Sequence, residues 1–189
     1  MAGGRRVFVF DASSFITGLD SLIHEGEIYT TPEVAGELRE TEVKKRYETV
    51  LSMGRVKIES PESEHLKAAK EAATFTGDLF KLSKADLSIL ALGVRLRAEG
   101  FNPTLISEDY AVQNVAEHLS LNYASTVGRI RLEVKWVIYC PSCGKSFQPN
   151  PELRTCPVCG EKLKRKARER RKVKRRKLEP WRLKAFRSL

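Results

Sequence analysis

The sequence predicts an α/β domain, with a parallel sheet covered by helices on both faces, followed by a small β module and a basic C-terminal tail. Three observations predict this class. Short apolar runs alternate with helix-like segments up to about residue 125, four cysteines in two close pairs follow, and the positive charge is concentrated at the end of the chain. The expected parts are residues 1–127, 128–162 and 163–189.

The first predicted strand leads directly to an acidic residue. Residues 6–10, RVFVF, form a short run rich in Val and Phe that is typical of a buried strand, and Asp11 follows at its carboxyl end. In parallel sheets covered by helices, ligands bind beyond the carboxyl ends of the strands. Asp11 is therefore expected at the edge where a ligand site forms.

A second acid is expected on the helix after the second strand. Residues 28–30 can form that strand, and Thr31 and Pro32 supply an N-cap and a first helical position. The apolar spacing predicts one helix that continues as far as Tyr47. Glu37 lies in the second turn of this helix.

The remaining elements continue the alternation and contain two more acids. We expect a strand at 55–59, a helix from 61 to about 75, a helix from 83 to 100, a strand at 104–106 and a helix at 110–119. Asp86 falls in the first turn of the helix that starts at Ser83. Asp109 lies where the last of these strands gives way to a helix.

The cysteines have the spacing of a metal site. CPSC and CPVC are separated by twelve residues, so Cys140, Cys143, Cys156 and Cys159 form two pairs, each followed by glycine. Four thiolates close a tetrahedral shell, which predicts one structural zinc ion in a ribbon. A pair of redox Cys-x-x-Cys sites is disfavoured by this spacing, whereas an iron–sulfur cluster fits the spacing as well.

Four acids form a candidate catalytic set: Asp11, Glu37, Asp86 and Asp109. A two-metal nuclease site needs several carboxylates that converge on divalent cations. Each acid also has a structural interpretation, namely a strand end for Asp11, a solvated helix residue for Glu37, a capping box with Ser83 for Asp86 and an N-cap for Asp109. Taken singly, the structural interpretations are favoured; the combination favours a nuclease.

The stretches around these acids resemble the PIN domain family, named for PilT N-terminus. The matching segments are VFDASSFI, TTPEVAGELRE, SKADLSILALG and LISEDYAVQNVA, within residues 5–125. The resemblance implies that the four acids bind Mg²⁺ or Mn²⁺ and hydrolyse single-stranded RNA. It also implies that the small hydroxyl residues Ser13 and Ser107 help to hold the site, and it selects Asp109 rather than Glu108 because Asp109 stands two residues after Ser107.

A PIN domain with a cysteine ribbon and a basic tail is similar to the Nob (Nin-one-binding) endoribonucleases of the archaeal type. This likeness accounts for the whole chain. It implies cleavage at the 3′ end of the small-subunit (16S-type) ribosomal RNA precursor during ribosome biogenesis. The implied partners are that RNA and the precursor of the small ribosomal subunit. Asp11 and Asp86 are expected to carry the principal metal, with Glu37 and Asp109 completing its shell or orienting water.

The net charge of +10 is a property of the C-terminal segment. Residues 161–189 hold 15 Lys or Arg against 3 Asp or Glu, whereas residues 1–160 hold 19 against 21. Such a block is expected to be extended or marginally helical and to bind polyanions, which predicts RNA binding through the ribbon and the tail. Trp181 and Phe186 add aromatic rings for base stacking. A solubilising terminus, or attachment to an acidic protein or membrane surface, is the alternative.

Other functions remain open at this stage. They are a non-catalytic RNA-binding assembly factor, a zinc-ribbon protein that binds DNA, and a PIN-type toxin, the last disfavoured by the ribbon and tail. His24, His65 and His118 lie outside the acidic motifs, which disfavours a histidine-dependent ribonuclease. The apolar runs are short and the start MAGGRRVFVFD has no signal pattern, so we expect a soluble, cytoplasmic protein with no membrane partner.

Overall fold

The computed structural model describes residues 4–21, 23, 26–38, 41–125, 130–150 and 153–173. They form a parallel sheet of five strands surrounded by helices and an antiparallel sheet of three strands. The α/β class with an appended β module is thus confirmed. Within these ranges, every helix is too short or too polar to cross a membrane.

The parallel sheet has the strand order β3-β2-β1-β4-β5. Its strands are β1 (Arg6–Phe10), β2 (Glu27–Thr30), β3 (Val56–Ile58), β4 (Asn102–Ile106) and β5 (Asn122–Ala124). The helices are α1 (Ala12–Ile16), α2 (Pro32–Glu37), α3 (Thr41–Ser52), α4 (Ser63–Thr76), α5 (Lys84–Ala98) and α6 (Tyr110–His118), with a short 3-10 helix at Leu19–Ser21. Strand β5 was not predicted.

Strand β1 lies at the centre of the sheet and of the core. Val7, Phe8, Val9 and Phe10 are all buried, and because successive side chains of a strand point to opposite faces, both faces of the sheet are covered. Phe10 pairs with Ile106 at the end of the neighbouring strand β4. This register brings the residues that follow both strands to one edge.

Helix α5 packs closely on the sheet. An ideal Cβ at Gly93 would lie 2.8 Å from Leu105 Cδ1 and 3.1 Å from a methyl carbon of Leu121, so the helix backbone approaches β4 more closely than a larger residue would allow. Ser83 caps the helix as predicted, through a capping box with Asp86.

Two helix boundaries differ from the sequence prediction. The helix expected to run from Pro32 to Tyr47 is divided into α2 and α3, because Leu38 leaves the helical region (ψ 82°) and turns its side chain into the core. The next helix begins at Ser63 rather than Pro61, since Glu62 stays extended as its N-cap residue. In both cases the tertiary environment overrides the local pattern.

The second sheet contains part of the segment that we expected to be a tail. Its strands are β6 (Leu132–Tyr139), β7 (Ser146–Phe147) and β8 (Lys164–Lys172), in the order β7-β6-β8. Residues 164–172 are therefore a strand paired antiparallel with β6, not an extended or helical tail. The three-part division of the chain stays a prediction, and residues 174–189, with Trp181 and Phe186, lie outside the described residues.

A buried ion pair joins the two sheets. Asp78, in the turn after α4, is buried and pairs with Arg165 of β8. Asn114 of α6 donates to Asp78 Oδ2 at 2.6 Å and bonds the backbone of Val134 through both of its amide atoms. The ion pair between Asp78 and Arg165 and the amide of Asn114 together fix the antiparallel sheet against α4 and α6.

Glycine is also required at this contact between the two sheets, which we call the seam. Gly77 ends α4 with a positive φ of 76°, and an ideal Cβ there would lie 2.9 Å from Trp136 Cβ. The turn that carries Asp78 therefore contacts β6 directly.

Replacing Arg165 should loosen this seam. In Arg165→Ala the buried Asp78 carboxylate loses its cation, and we expect a loss of about 3 kcal/mol in the free energy of unfolding. Urea unfolding measures this loss, and limited proteolysis reports release of the antiparallel sheet. Arg168→Ala is the matched control, because Arg168 is exposed and its ion pair among the described residues is with its neighbour Glu169. Equal stability of the two variants would contradict the role given to Arg165.

Candidate active site and cysteine cluster

Asp11 is held firmly at the carboxyl end of β1. It is buried and caps α1, and its Oδ1 accepts hydrogen bonds from the Ser14 backbone N–H at 2.8 Å and from the Ser13 hydroxyl at 2.8 Å. The Ser14 hydroxyl lies 2.6 Å from the same oxygen and 2.9 Å from the carbonyl oxygen of Ile106. Within the described residues Oδ2 receives no hydrogen bond, so one oxygen remains for a ligand.

Asp86 faces the same edge from the first turn of α5. Its Oδ2 accepts from the Ser83 N–H at 2.8 Å, and the Ser83 hydroxyl accepts from the Asp86 N–H at 3.1 Å. Burial raises the pKa of the Asp86 carboxyl against the lowering effect of Ser83, and the negative charges of Asp109 and Asp11 raise it further. Asp11 and Asp109 are therefore close enough to Asp86 to disfavour its charged form.

Asp109 follows β4 and caps α6. Its Oδ1 accepts from the Ala111 N–H at 2.6 Å, and its own N–H donates to the Ser107 hydroxyl at 3.2 Å. The preceding residue, Glu108, is bonded elsewhere, since the Ser125 hydroxyl donates to it. Asp109 is one of the two charges that act on Asp86, and its selection over Glu108 stays a prediction.

Glu37 is less closely associated with the other acids. It is the last residue of α2 and is exposed, and no hydrogen bond or ion pair links it to Asp11, Asp86 or Asp109 among the residues described. Helix α2 itself is anchored near the site, because the Thr31 hydroxyl at its N-cap lies 2.6 Å from the Ser88 hydroxyl of α5. Glu37 thus stands on a helix that borders the site without joining its core.

The acidic edge is looser than a closed metal cage. In the described ranges, no three carboxylates have oxygens within 4.8 Å of one another. A cation such as Mg²⁺ keeps several water ligands and is commonly bound through only one or two carboxylates, so it does not require a closed cage of carboxylates. The donor set of oxygens suits Mg²⁺ or Mn²⁺.

Sequence reasoning missed two supports of this edge, the hydroxyl groups of Ser14 and Thr31. Ser14 connects Asp11 to β4, and Thr31 connects α2 to α5. The Thr31 hydroxyl was predicted only as a helix cap, which it also is. The first contact depends on the pairing of β1 with β4 and the second on the packing of α2 against α5, neither of which a local pattern reveals.

The four cysteines converge as their spacing predicts. Their sulfurs all lie within 4.8 Å of one another, with Cys140 and Cys159 3.4 Å apart and Cys143 and Cys156 3.6 Å apart. Thiolates about 2.3 Å from one tetrahedral ion would be separated by slightly less than 4 Å, so the cluster fits a single metal ion.

The two cysteine turns have matching backbone geometry. Gly144 and Gly160 have φ values of 73° and 74°, and their N–H groups donate to the carbonyl oxygens of Cys140 and Cys156 at 3.0 and 2.9 Å. A positive φ at these positions favours glycine. The glycine after each pair is thus explained by the turn that it closes.

Two histidines have structural contacts away from the acids. His118 is half-buried, stacks on Phe75 with ring centroids 4.5 Å apart and contacts Glu133 at 3.2 Å. His65 contacts Glu62 at the start of α4. His24 lies outside the described residues.

Comparison with known proteins agrees with this architecture. Residues 8–96 match the family model described as the PIN domain of ribonuclease. The endoribonuclease Nob1 of Pyrococcus abyssi is 42% identical over 156 residues, which cover 82% of this chain and 91% of that protein. The endoribonuclease Nob1 of Methanocaldococcus jannaschii is 38% identical over 178 residues, covering 93% and 85%.

A eukaryotic protein matches over a shorter region. The 20S-pre-rRNA D-site endonuclease NOB1 of Saccharomyces cerevisiae is 34% identical over 95 residues, 48% of this chain and 20% of that protein. The archaeal matches include the domain with the acidic edge and extend well beyond it. Together with the parallel sheet, the three neighbouring aspartates and the four-cysteine cluster, they show that this chain belongs to the Nob1 family of metal-dependent PIN-domain endoribonucleases.

Proposed function

We propose that this protein cleaves the precursor of the small-subunit (16S-type) ribosomal RNA at its 3′ end during ribosome biogenesis, in the cytoplasm. Membership of an endoribonuclease family supports RNA as the substrate class. The name of the yeast relative, a pre-rRNA endonuclease, supports a ribosomal precursor. The precursor of the small ribosomal subunit is the partner in which this substrate would be met.

The observation that carries the proposal is that Asp11 and Asp109, from separate elements, act electrostatically on Asp86. Asp11 follows β1, Asp109 follows β4 and Asp86 lies in the first turn of α5, yet the first two raise the pKa of the third. Like charges at one edge destabilise one another, and a bound divalent cation relieves the repulsion. If these aspartates served only as helix caps, they would not have to lie near one another.

We assign the metal-binding roles as follows. Asp11 and Asp86 hold the principal Mg²⁺ or Mn²⁺, and Asp109 and Glu37 complete its shell or orient water. Ser13 fixes the Asp11 carboxylate through its hydroxyl, and Ser107 fixes the backbone of Asp109. Bound there, the cation would supply Lewis acidity to the phosphodiester and a nucleophilic water.

The cysteine cluster is assigned one structural zinc ion. All four coordination positions are taken by thiolates, which leaves none for a substrate. The adjoining strand β8 carries seven Lys or Arg among its nine residues, so the ribbon presents positive charge to RNA.

Asp11→Asn tests the catalytic assignment. Asparagine keeps an oxygen for the Ser14 N–H and so preserves the helix cap, but it removes the negative charge. We expect cleavage of an RNA that spans the 3′ end of 16S rRNA, measured with Mn²⁺, to fall by on the order of 100-fold or more.

Glu33→Gln is the matched control, because Glu33 is exposed in the first turn of α2 and lies outside the acidic set. It should cleave at the wild-type rate. If Asp11→Asn is folded and equally active, the assignment is wrong. If the wild-type protein binds the RNA but never cleaves it with Mn²⁺, a non-catalytic assembly factor is the correct description.

Asp86→Asn tests whether the charge of Asp86 lowers the stability of the protein when no divalent cation is bound. Because the folded-state pKa of Asp86 is raised, its charged form destabilises the fold, and this effect is present above the folded pKa and absent below the ordinary aspartate range. With no added divalent cation at neutral pH, Asp86→Asn should therefore unfold with a free energy about 0.5 kcal/mol higher than wild type. The gain should vanish as the pH falls and Asp86 becomes protonated.

Thermal unfolding between pH 3 and pH 8 measures this difference. Glu64→Gln is the control, since exposed Glu64 occupies the first turn of α4 and its loss should slightly destabilise that helix at neutral pH. If Asp86→Asn instead loses stability at neutral pH, as Glu64→Gln does, the ionised carboxylate of Asp86 does not destabilise the fold.

Truncation tests the role of the tail in RNA binding. Removing residues 161–189 would delete β8 and the Glu161 carbonyl that accepts from the Cys156 N–H, so the informative deletion begins at residue 174. Residues 174–189 contain seven Lys or Arg and one Glu. Their deletion should weaken RNA binding and flatten its salt dependence while the zinc content stays unchanged. If RNA affinity depends on salt concentration to the same extent after the deletion, residues 174–189 do not contact the RNA.

A further inference from the structure

An open cleft of about 410 Å³ adjoins the acidic edge. It lies between the start of α6, the turn after α4 and strand β6. Asp109 lines the cleft, so the cleft begins at the acids themselves. We call it the aromatic cleft, because Tyr110 and Trp136 also line it.

Tyr110 is an exposed ring beside a candidate metal ligand. It directly follows Asp109, and its side chain is 60% exposed. In the described part of the chain its hydroxyl has no hydrogen bond and its ring contacts no other ring. A large aromatic side chain in this position contributes little to the fold and is available to a ligand.

Trp136 reaches the cleft from the antiparallel sheet. The guanidinium of Arg165 lies 4.1 Å from its ring centroid, and Arg165 is fixed in turn by Asp78. The indole is therefore held in place by contacts that do not involve a ligand. A preorganised ring loses little conformational freedom when another ring binds against it.

The lining of the cleft carries Asp109 and Lys81 besides the pair of Asp78 and Arg165, so its charges balance and Lys81 supplies a cation beside the aromatic rings. Asp78 and Arg165 neutralise each other. Lys81 lines the cleft, is exposed and makes no ion pair within the described ranges. Aromatic rings with a nearby cation are the chemistry by which proteins bind single-stranded nucleic acid.

We propose that the aromatic cleft binds one unpaired nucleotide of the RNA substrate, next to the phosphate that is cleaved. The base stacks on aromatic side chains of the cleft, and Lys81 attracts the phosphate of the same segment. The cleft volume is in the lower part of the range for small-ligand sites, which suits one nucleotide rather than a duplex. The proposal rests on the proposed nuclease function and adds a substrate-positioning site to it.

This site requires both sheets of the protein. Tyr110 and Lys81 belong to the helices and turns around the parallel sheet, whereas Trp136 and Arg165 belong to the antiparallel sheet. The seam formed by Asp78 and Arg165 therefore sets the width of the nucleotide site. The antiparallel sheet contributes to substrate positioning in addition to any binding through its charge.

Tryptophan fluorescence can test the site directly. The chain has two tryptophans, so the full-length Trp181→Phe protein reports on Trp136 alone. We expect a trinucleotide RNA, titrated without added divalent cations, to change this fluorescence saturably. Tyr110→Ala in the same background should weaken binding by about 10-fold, and Tyr110→Phe, which keeps the ring, should stay within about 2-fold of the parent.

Met53→Ala is the matched control. Met53 is 67% exposed and precedes β3, at the opposite edge of the parallel sheet from the acids, so its replacement should not alter trinucleotide affinity. An affinity unchanged by Tyr110→Ala, or a fluorescence signal that does not saturate, would overturn the proposal.

Cleavage assays separate this proposal from the nuclease function. Tyr110→Ala should raise KM with little change in kcat, whereas Asp11→Asn lowers kcat. If the protein binds the trinucleotide saturably but cleaves no RNA, the aromatic cleft is a nucleotide site and the catalytic role of the acids is wrong. Normal cleavage with an unchanged KM in Tyr110→Ala would refute the cleft and leave the catalytic role intact.

Discussion

The parallel pairing of β1 with β4 is the constraint on which the rest of the site depends. Phe10 lies opposite Ile106, the Asp11 N–H donates to the Ile106 carbonyl at 3.4 Å, and the Ser14 hydroxyl lies 2.9 Å from the same oxygen. Because side chains alternate along a strand, a slip of one residue would turn the residues at the strand end to the other face. Parallel pairing therefore places Asp11 and Asp109 at the same edge, and its register, held by the bonds to the Ile106 carbonyl, sets the face to which the residues after β1 turn.

Helix α5 adds the third aspartate under opposing demands. The capping box with Ser83 stabilises the helix start and fixes one oxygen of Asp86, while burial and two like charges disfavour its ionised form. Such a balance is typical of sites where function is retained at a cost in stability. The tight contact of Gly93 with β4 holds the helix in the position that maintains this balance.

The sequence predicted most of the parallel domain because its signals are local. Apolar runs identify β1 and β4, and the pairing of Ser83 with Asp86 identifies the start of α5. The two interpretations of Asp86, as cap and as candidate ligand, do not exclude each other, since the bond from the Ser83 N–H occupies Oδ2 alone. Asp109 likewise caps a helix with Oδ1 while it contributes charge to the edge.

What could not be predicted depends on contacts between distant segments. Strand β8 is so rich in Lys and Arg that its pattern indicated a tail; only its pairing with β6, with an irregularity between Lys135 and Trp136, makes it a strand. The contact between Glu108 and Ser125 also joins distant residues, and so does the aromatic cleft. The cysteine cluster was predictable because its spacing alone determines the geometry.

The most direct measurement of the central claim is a crystal structure of the protein with Mn²⁺, with the ion located by anomalous scattering. We expect a peak at the carboxyl edge of the parallel sheet, about 2.0–2.6 Å from a carboxylate oxygen of Asp11 and one of Asp86, as is usual for a hard divalent cation with oxygen ligands. A map with no peak at this edge, at Mn²⁺ concentrations that saturate cleavage, would show that these acids do not form the metal site.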